Sequence, residues 1–125
     1  TKSRADIVLF DEFQYMDLRG GSAIDSLLRE GRKFGISAYL SSQFLGRKGE
    51  EARETLMQAG NCMFFSPTEV ETKSIASWIA PNAKREWESI LRELCRGEAV
   101  LRGSYRIRYG NNICTTPIIC KVRRR

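Results

Sequence analysis

Ile7-Val8-Leu9-Phe10-Asp11-Glu12-Phe13-Gln14 is the stretch whose reading decides the fold. Four consecutive apolar residues leave no polar face, so the run suits a strand covered on both sides, as in a parallel sheet. Two carboxylates then stand where the strand leaves the sheet. Downstream, Gly20-Gly21-Ser22 breaks the chain, and Ser22 is placed to cap a helix. Ile24, Leu27, Leu28 and Phe34, with Gly31 beside them, carry helical spacing, while Asp25, Arg29 and Arg32 gather on another face of the wheel. Gly35 stops that helix. Ile36 to Ser42 then forms a second strand, ending at Gln43.

The remaining segments extend the alternation. Gly46 to Gly49 is a basic loop, Glu50 to Gln58 a short helix, and Asn61 to Ser66 a third buried strand through Cys62-Met63-Phe64-Phe65. Thr68 to Ile79 reads as a helix with acidic residues in its first turn, ended by Pro81. Ala83 to Cys95 reads as another, with Trp87, Ile90, Leu91 and Leu94 at i, i+3, i+4 and i+7 and Gly97 as its cap. Glu98 to Arg102, Tyr105 to Tyr109 and Pro117 to Val122 are β-like. Strand–helix–strand–helix–strand predicts an α/β fold, a mainly parallel sheet flanked by helices, with antiparallel strands at the C-terminal end. Ligands of such sheets sit at the carboxyl ends of the strands. Those ends here carry Asp11-Glu12, Gln43 and Ser66, which are expected at one edge.

The hhhhDE arrangement suits nucleoside triphosphate hydrolysis. A first carboxylate can hold hydrated Mg²⁺, which takes one or two carboxylates plus phosphate oxygens. A second can orient or deprotonate the attacking water. Acidic pairs after strands also serve as helix caps and surface loops. Asp25 and Arg29 stand at i, i+4, where a helix-surface ion pair is the ordinary outcome.

Over Ile7 to Gln43 the sequence resembles the second half of the RecA-like motor domain of the HerA/FtsK superfamily. The resemblance is nearest to HerA-type DNA translocases and conjugative coupling ATPases of the TraG/TraD kind. It rests on the apolar strand and Asp11-Glu12, on Leu28-Arg29-Glu30-Gly31-Arg32-Lys33-Phe34-Gly35-Ile36, and on the strand reaching Ser42-Gln43. Asn61 to Phe65 and Gly97-Glu98-Ala99-Val100 are similar to later strands of that family, so the likeness spans roughly residues 5–103; residues 104–125 form a basic β-like end outside it. The resemblance implies a partial RecA-like P-loop fold and roles residue by residue. Asp11 matches the Walker B metal-associated aspartate and Glu12 the catalytic glutamate. Gln43 matches the polar sensor of the γ-phosphate or water. Arg32 and Arg29 match arginines that act across a subunit interface.

No GxxxxGK[ST] occurs; Gly46-Arg47-Lys48-Gly49 is too short to replace it. The expectation is therefore a fragment whose phosphate cradle lies upstream in a longer parent. The parent would be an ATP-driven DNA translocase, using ATP and Mg²⁺ in a ring, hexameric by resemblance. The 125 residues alone are expected to bind no nucleotide tightly and to hydrolyse none. Two other readings stand beside it: a non-catalytic nucleic-acid or protein-binding module with a degenerate motor fold, and an ATPase acting on protein or secretion cargo.

The charge has a place as well as a sum. The net is +6, and residues 99–125 hold seven basic side chains and no acidic one: Arg102, Arg106, Arg108, Lys121, Arg123, Arg124 and Arg125. A near-neutral body with a basic end points to a polyanion partner there; with the motor resemblance, Arg106, Arg108, Lys121, Arg123, Arg124 and Arg125 are expected to face DNA or an adjacent subunit. A solvated strand edge and tail reads the same. There is no histidine, which excludes His-based triads and imidazole metal sites. The four cysteines form no CxxC pair, and three have apolar flanks, as expected of reduced buried thiols in the cytoplasm. No apolar run approaches the ~20 residues of a membrane span.

Overall fold

The computed structural model describes residues 6–45, 49–106 and 113–123. The chain divides into two compact units, Thr1–Ala59 and Gly60–Arg125.

The first unit is built on a parallel pair. Strand β1 (Asp6–Phe10) and strand β2 (Ile36–Leu40) pair from Asp6 opposite Ile36 to Phe10 opposite Leu40. Helix α1 (Ala23–Glu30) connects them, as the apolar periodicity predicts. Ser22 caps it, its hydroxyl accepting from the Asp25 backbone N–H at 3.3 Å. After Glu30 the helix tightens to a 3-10 turn over Gly31–Phe34, and Gly35 ends it in the left-handed region at φ 71°. The tightening turns Phe34 away from the apolar stripe, leaving it 72% exposed rather than in the core. Helix α2 (Gly49–Leu56) supplies Ala52, Thr55 and Leu56 to the interior, alongside Phe13, Leu18 and Ile24.

Two expectations about these strands need correction. Ile7 and Leu9 are 72% and 70% exposed, so β1 is covered on one face, not both. Asp25 is buried rather than on a solvated face. Its carboxylate takes the Gly21 N–H and Arg29 Nε, each at 2.8 Å, and faces Thr55 Oγ1 at 3.4 Å.

The second unit is a three-stranded antiparallel sheet with two helices. Its strand order is β3 (Cys62–Phe64), β4 (Glu98–Arg102) and β7 (Ile118–Lys121). Helices α3 (Glu69–Ile79) and α4 (Lys84–Glu93) lie between β3 and β4 in sequence and pack on each other. One intervening helix returns the chain parallel, as between β1 and β2; an antiparallel pair returns it reversed. That is why β3 runs antiparallel to β4 instead of extending a parallel sheet. The fold is thus mixed α/β, with its parallel pairing confined to β1 and β2 among the described residues. Ala76, Leu91, Ala99 and Val100 are fully buried. Phe64 meets Trp78 edge-on, with ring centroids 5.5 Å apart. Met63 and Phe65 are about half exposed, Cys95 is exposed and Cys62, Cys114 and Cys120 are half-buried, so the third strand is not interior throughout and none of the four thiols is fully buried.

Gly103 ends β4 at φ 148°, turning the chain into the short antiparallel pair β5 (Tyr105–Arg106) and β6 (Ile113–Cys114). No helix among the described residues is long and apolar enough to cross a membrane.

Candidate active site

The carboxyl ends of β1 and β2 meet because the register holds Phe10 opposite Leu40. The next residues, Asp11 and Ser41, then face each other. Ser41 N–H donates to Phe10 O at 2.9 Å and Phe13 N–H to Ser41 O at 3.1 Å, which locks the two exits together. The Ser41 hydroxyl donates to Asp11 Oδ1 at 2.5 Å, and the same oxygen takes the Glu12 N–H at 3.0 Å. Asp11 Oδ2 meets no hydrogen-bond donor among the described residues, and Asp11 as a whole is exposed.

Glu12 is half-buried and its backbone is left-handed, at φ 58° and ψ 46°. It is the one non-glycine residue with positive φ among those described. That conformation costs about 1–3 kcal/mol and persists only where its surroundings hold it. Here the Phe13 and Tyr15 amides hold it, the latter donating to Glu12 O at 3.2 Å. The kink points the chain into the 3-10 turn Phe13–Tyr15 and anchors Phe13 in the core.

The Glu12 carboxylate has an amide on each side. Gln43 Nε2 stands 3.4 Å from Oε1, and Gln14 Nε2 donates to Oε2. The Ser42 hydroxyl in turn contacts Gln14 Oε1. The structure therefore brings Asp11, Glu12 and Gln43 together. Ser66 lies in the second unit, two residues beyond the end of β3, and β3 pairs with β4 rather than with β1 or β2, so the expected three-strand edge reduces to two strand ends. Gln14, Ser41 and Ser42 were visible as polar neighbours of the motif. Their role depends on a register that one strand alone does not reveal.

The arginines fall into two kinds. Arg29 is tied to Asp25, and this ion pair anchors the start of α1. Arg32 is exposed and has no ion pair among the described residues. The Gly21 backbone N–H, then the Arg29 guanidinium, hold the Asp25 carboxyl below its usual range.

At the basic end, Arg106, Lys121 and Arg123 are exposed. Glu98 stands opposite Lys121 in the β4–β7 register. Tyr105 gives its hydroxyl to Thr116 O at 2.9 Å. Arg108, Arg124, Arg125 and the Gly46–Lys48 loop lie outside the described residues. No group of three or more Cys, Asp or Glu among the described residues is arranged to hold a metal by itself. Asp11 is a single carboxylate with one oxygen, Oδ2, left over for a ligand. No family model matches the chain, and no curated protein matches it either.

Proposed function

We propose that this chain is the Walker B half of an ATP-driven DNA-translocating motor of the HerA/TraG kind. The observation that carries the reading is the meeting of Asp11 and Glu12, at the end of β1, with Ser41 and Gln43, at the end of the adjacent parallel strand. That juxtaposition is what hydrolysis at a sheet edge requires: a carboxylate for a hydrated cation, a second carboxylate for water, and an amide that both donates and accepts.

In this reading Mg²⁺, when bound with ATP, neutralises phosphate charge. Asp11 would hold the ion through Oδ2, since the Ser41 hydroxyl and the Glu12 N–H already occupy Oδ1. Glu12 accepts a hydrogen bond from the attacking water. Gln43 spans the space between that water and the γ-phosphate. The phosphate cradle comes from residues outside these 125, in a ring of subunits in the cytoplasm. Arg32, which has no ion pair among the described residues, is the better candidate for reaching a neighbour's nucleotide; Arg29 already serves Asp25. The exposed Arg106, Lys121 and Arg123 are the candidates for contact with DNA phosphates.

The test is ATP turnover by the full-length protein with and without duplex DNA. Glu12→Gln is expected to abolish DNA-stimulated turnover while ATP binding persists. Undiminished turnover in that variant refutes the assignment. Turnover stimulated by an unfolded protein and not by DNA points to protein cargo; nucleic-acid binding without any turnover points to a non-catalytic module.

A further inference from the structure

The Glu12 carboxylate has two oxygens and two amide neighbours of unequal standing. Gln43 stands at the limit of hydrogen-bond distance from Oε1 and is exposed. Gln14 is half-buried and donates directly to Oε2. Gln14 follows Glu12 by two residues within the 3-10 turn that the left-handed backbone of Glu12 starts. Its reach to the carboxylate is therefore built into the turn.

The Glu12 carboxylate fixes the direction of the Gln14 amide, and Ser42 holds its other end. A carboxylate only accepts, so Gln14 must present its NH₂ to Glu12 and keep Oε1 for another donor. The Ser42 hydroxyl is that donor. Ser42 has a second acceptor within reach, Phe44 O, and itself accepts the Phe44 N–H at 3.3 Å. One hydroxyl hydrogen cannot serve both carbonyl oxygens fully. Ser42 belongs to the exit of β2 and Gln14 to the exit of β1, so the contact crosses the parallel pair.

We propose that Gln14, held at its other end by Ser42, is a positioning residue for Glu12. It occupies Oε2 and leaves Oε1, on the Gln43 side, as the oxygen that meets the attacking water. This rests on the hydrolytic reading of Glu12 and adds to it the side chains that aim the carboxylate. Neither touches the nucleotide.

The experiment measures steady-state ATP hydrolysis by the full-length protein, with thermal melting as a control. Gln14→Leu keeps the bulk of the side chain and removes the donor. It is expected to lower kcat about 10–100-fold, as small misplacements of reacting groups do, with the KM for Mg·ATP unchanged. Ser42→Ala lowers kcat less, and Ser42→Thr, which retains the hydroxyl, restores it. In ¹⁵N-glutamine spectra the Gln14 carboxamide hydrogens exchange slowly with water, and Ser42→Ala speeds them up. Loss of turnover in Glu12→Gln with full kcat in Gln14→Leu overturns the positioning role alone. Full turnover in Glu12→Gln overturns the hydrolytic reading and the positioning role with it. A Gln14→Leu variant that lowers melting temperature, kcat and affinity together also overturns it, since that is the signature of a structural residue.

Discussion

Replacing Gly103 with alanine tests how the second unit turns from its sheet into the basic end. At φ 148° the position suits glycine, and the neighbours leave no room for a Cβ. Built there, it would lie 2.3 Å from Asn61 Oδ1, 2.7 Å from Gly60 O and 2.9 Å from Asn61 Cα. The Asn61 side chain can swing aside, but it then loses the Ser104 N–H it accepts at 3.0 Å. Gly60 O and Asn61 Cα are backbone and move only if β3 moves with them. Three costs follow: about 1–3 kcal/mol for the backbone conformation, about 1–3 for the overpacking, and about 0.5–1.5 for the lost hydrogen bond. Together they reach roughly 2.5–7.5 kcal/mol, against a total of about 5–15 for an ordinary domain. The assay is urea denaturation followed by tryptophan fluorescence. Both tryptophans, Trp78 and Trp87, belong to the second unit, so the signal reports that unit selectively. With a urea slope of about 1–3 kcal/mol per M, the midpoint should fall by at least roughly 1 M. A midpoint within a few tenths of a molar of the parent would refute the reasoning.

Two further outcomes follow from titrating groups. Because the Asp25 carboxyl is held below its usual range, it contributes stability above the ordinary carboxylate pKa, lost as pH falls through the depressed value. Asp25→Asn should therefore narrow the gap in melting temperature between pH 7 and pH 3, read by circular dichroism; an unchanged gap would disprove the role. The Cys95 thiol is raised, first by its hydrogen bond to the Glu98 side chain and then by that charge, while the Cys95 N–H donates to Glu98 Oε1 at 2.8 Å. Glu98→Gln keeps an acceptor for the amide and removes the charge, so Cys95 should alkylate faster at pH 8; an equal or slower rate sinks the explanation.

The sequence carried the local structure of the first unit well. Ser22 as cap, Gly35 as terminator and the apolar spacing between them mark α1 and its two flanking strands, because all three signals act within a few residues. Coverage of the strands is a different matter. Ile7 and Leu9 look interior in an apolar run, yet whether a face is covered depends on elements the run does not encode. The direction of β3 depends on counting α3 and α4 as a pair that reverses the chain. Asp25 looks like half of a surface ion pair until α2 brings Thr55 to it. At the candidate site, Asp11, Glu12 and Gln43 were readable from type and position. Gln14, Ser41 and Ser42 were not, because their contacts cross from one strand exit to the other and follow the pairing register.

The bare side of the parallel pair has a consequence for handling the chain. Ile7, Leu9 and Tyr39 are 72%, 70% and 58% exposed, and Leu9 lies beside Tyr39 in the register. Among the described residues, the two strands also leave two unpaired edges. An oily surface next to open backbone hydrogen-bonding groups is a template for self-association. The face of Ile7, Leu9 and Tyr39 is therefore a place where copies of the chain would stick to one another, and Leu9→Lys is the single change expected to discourage it.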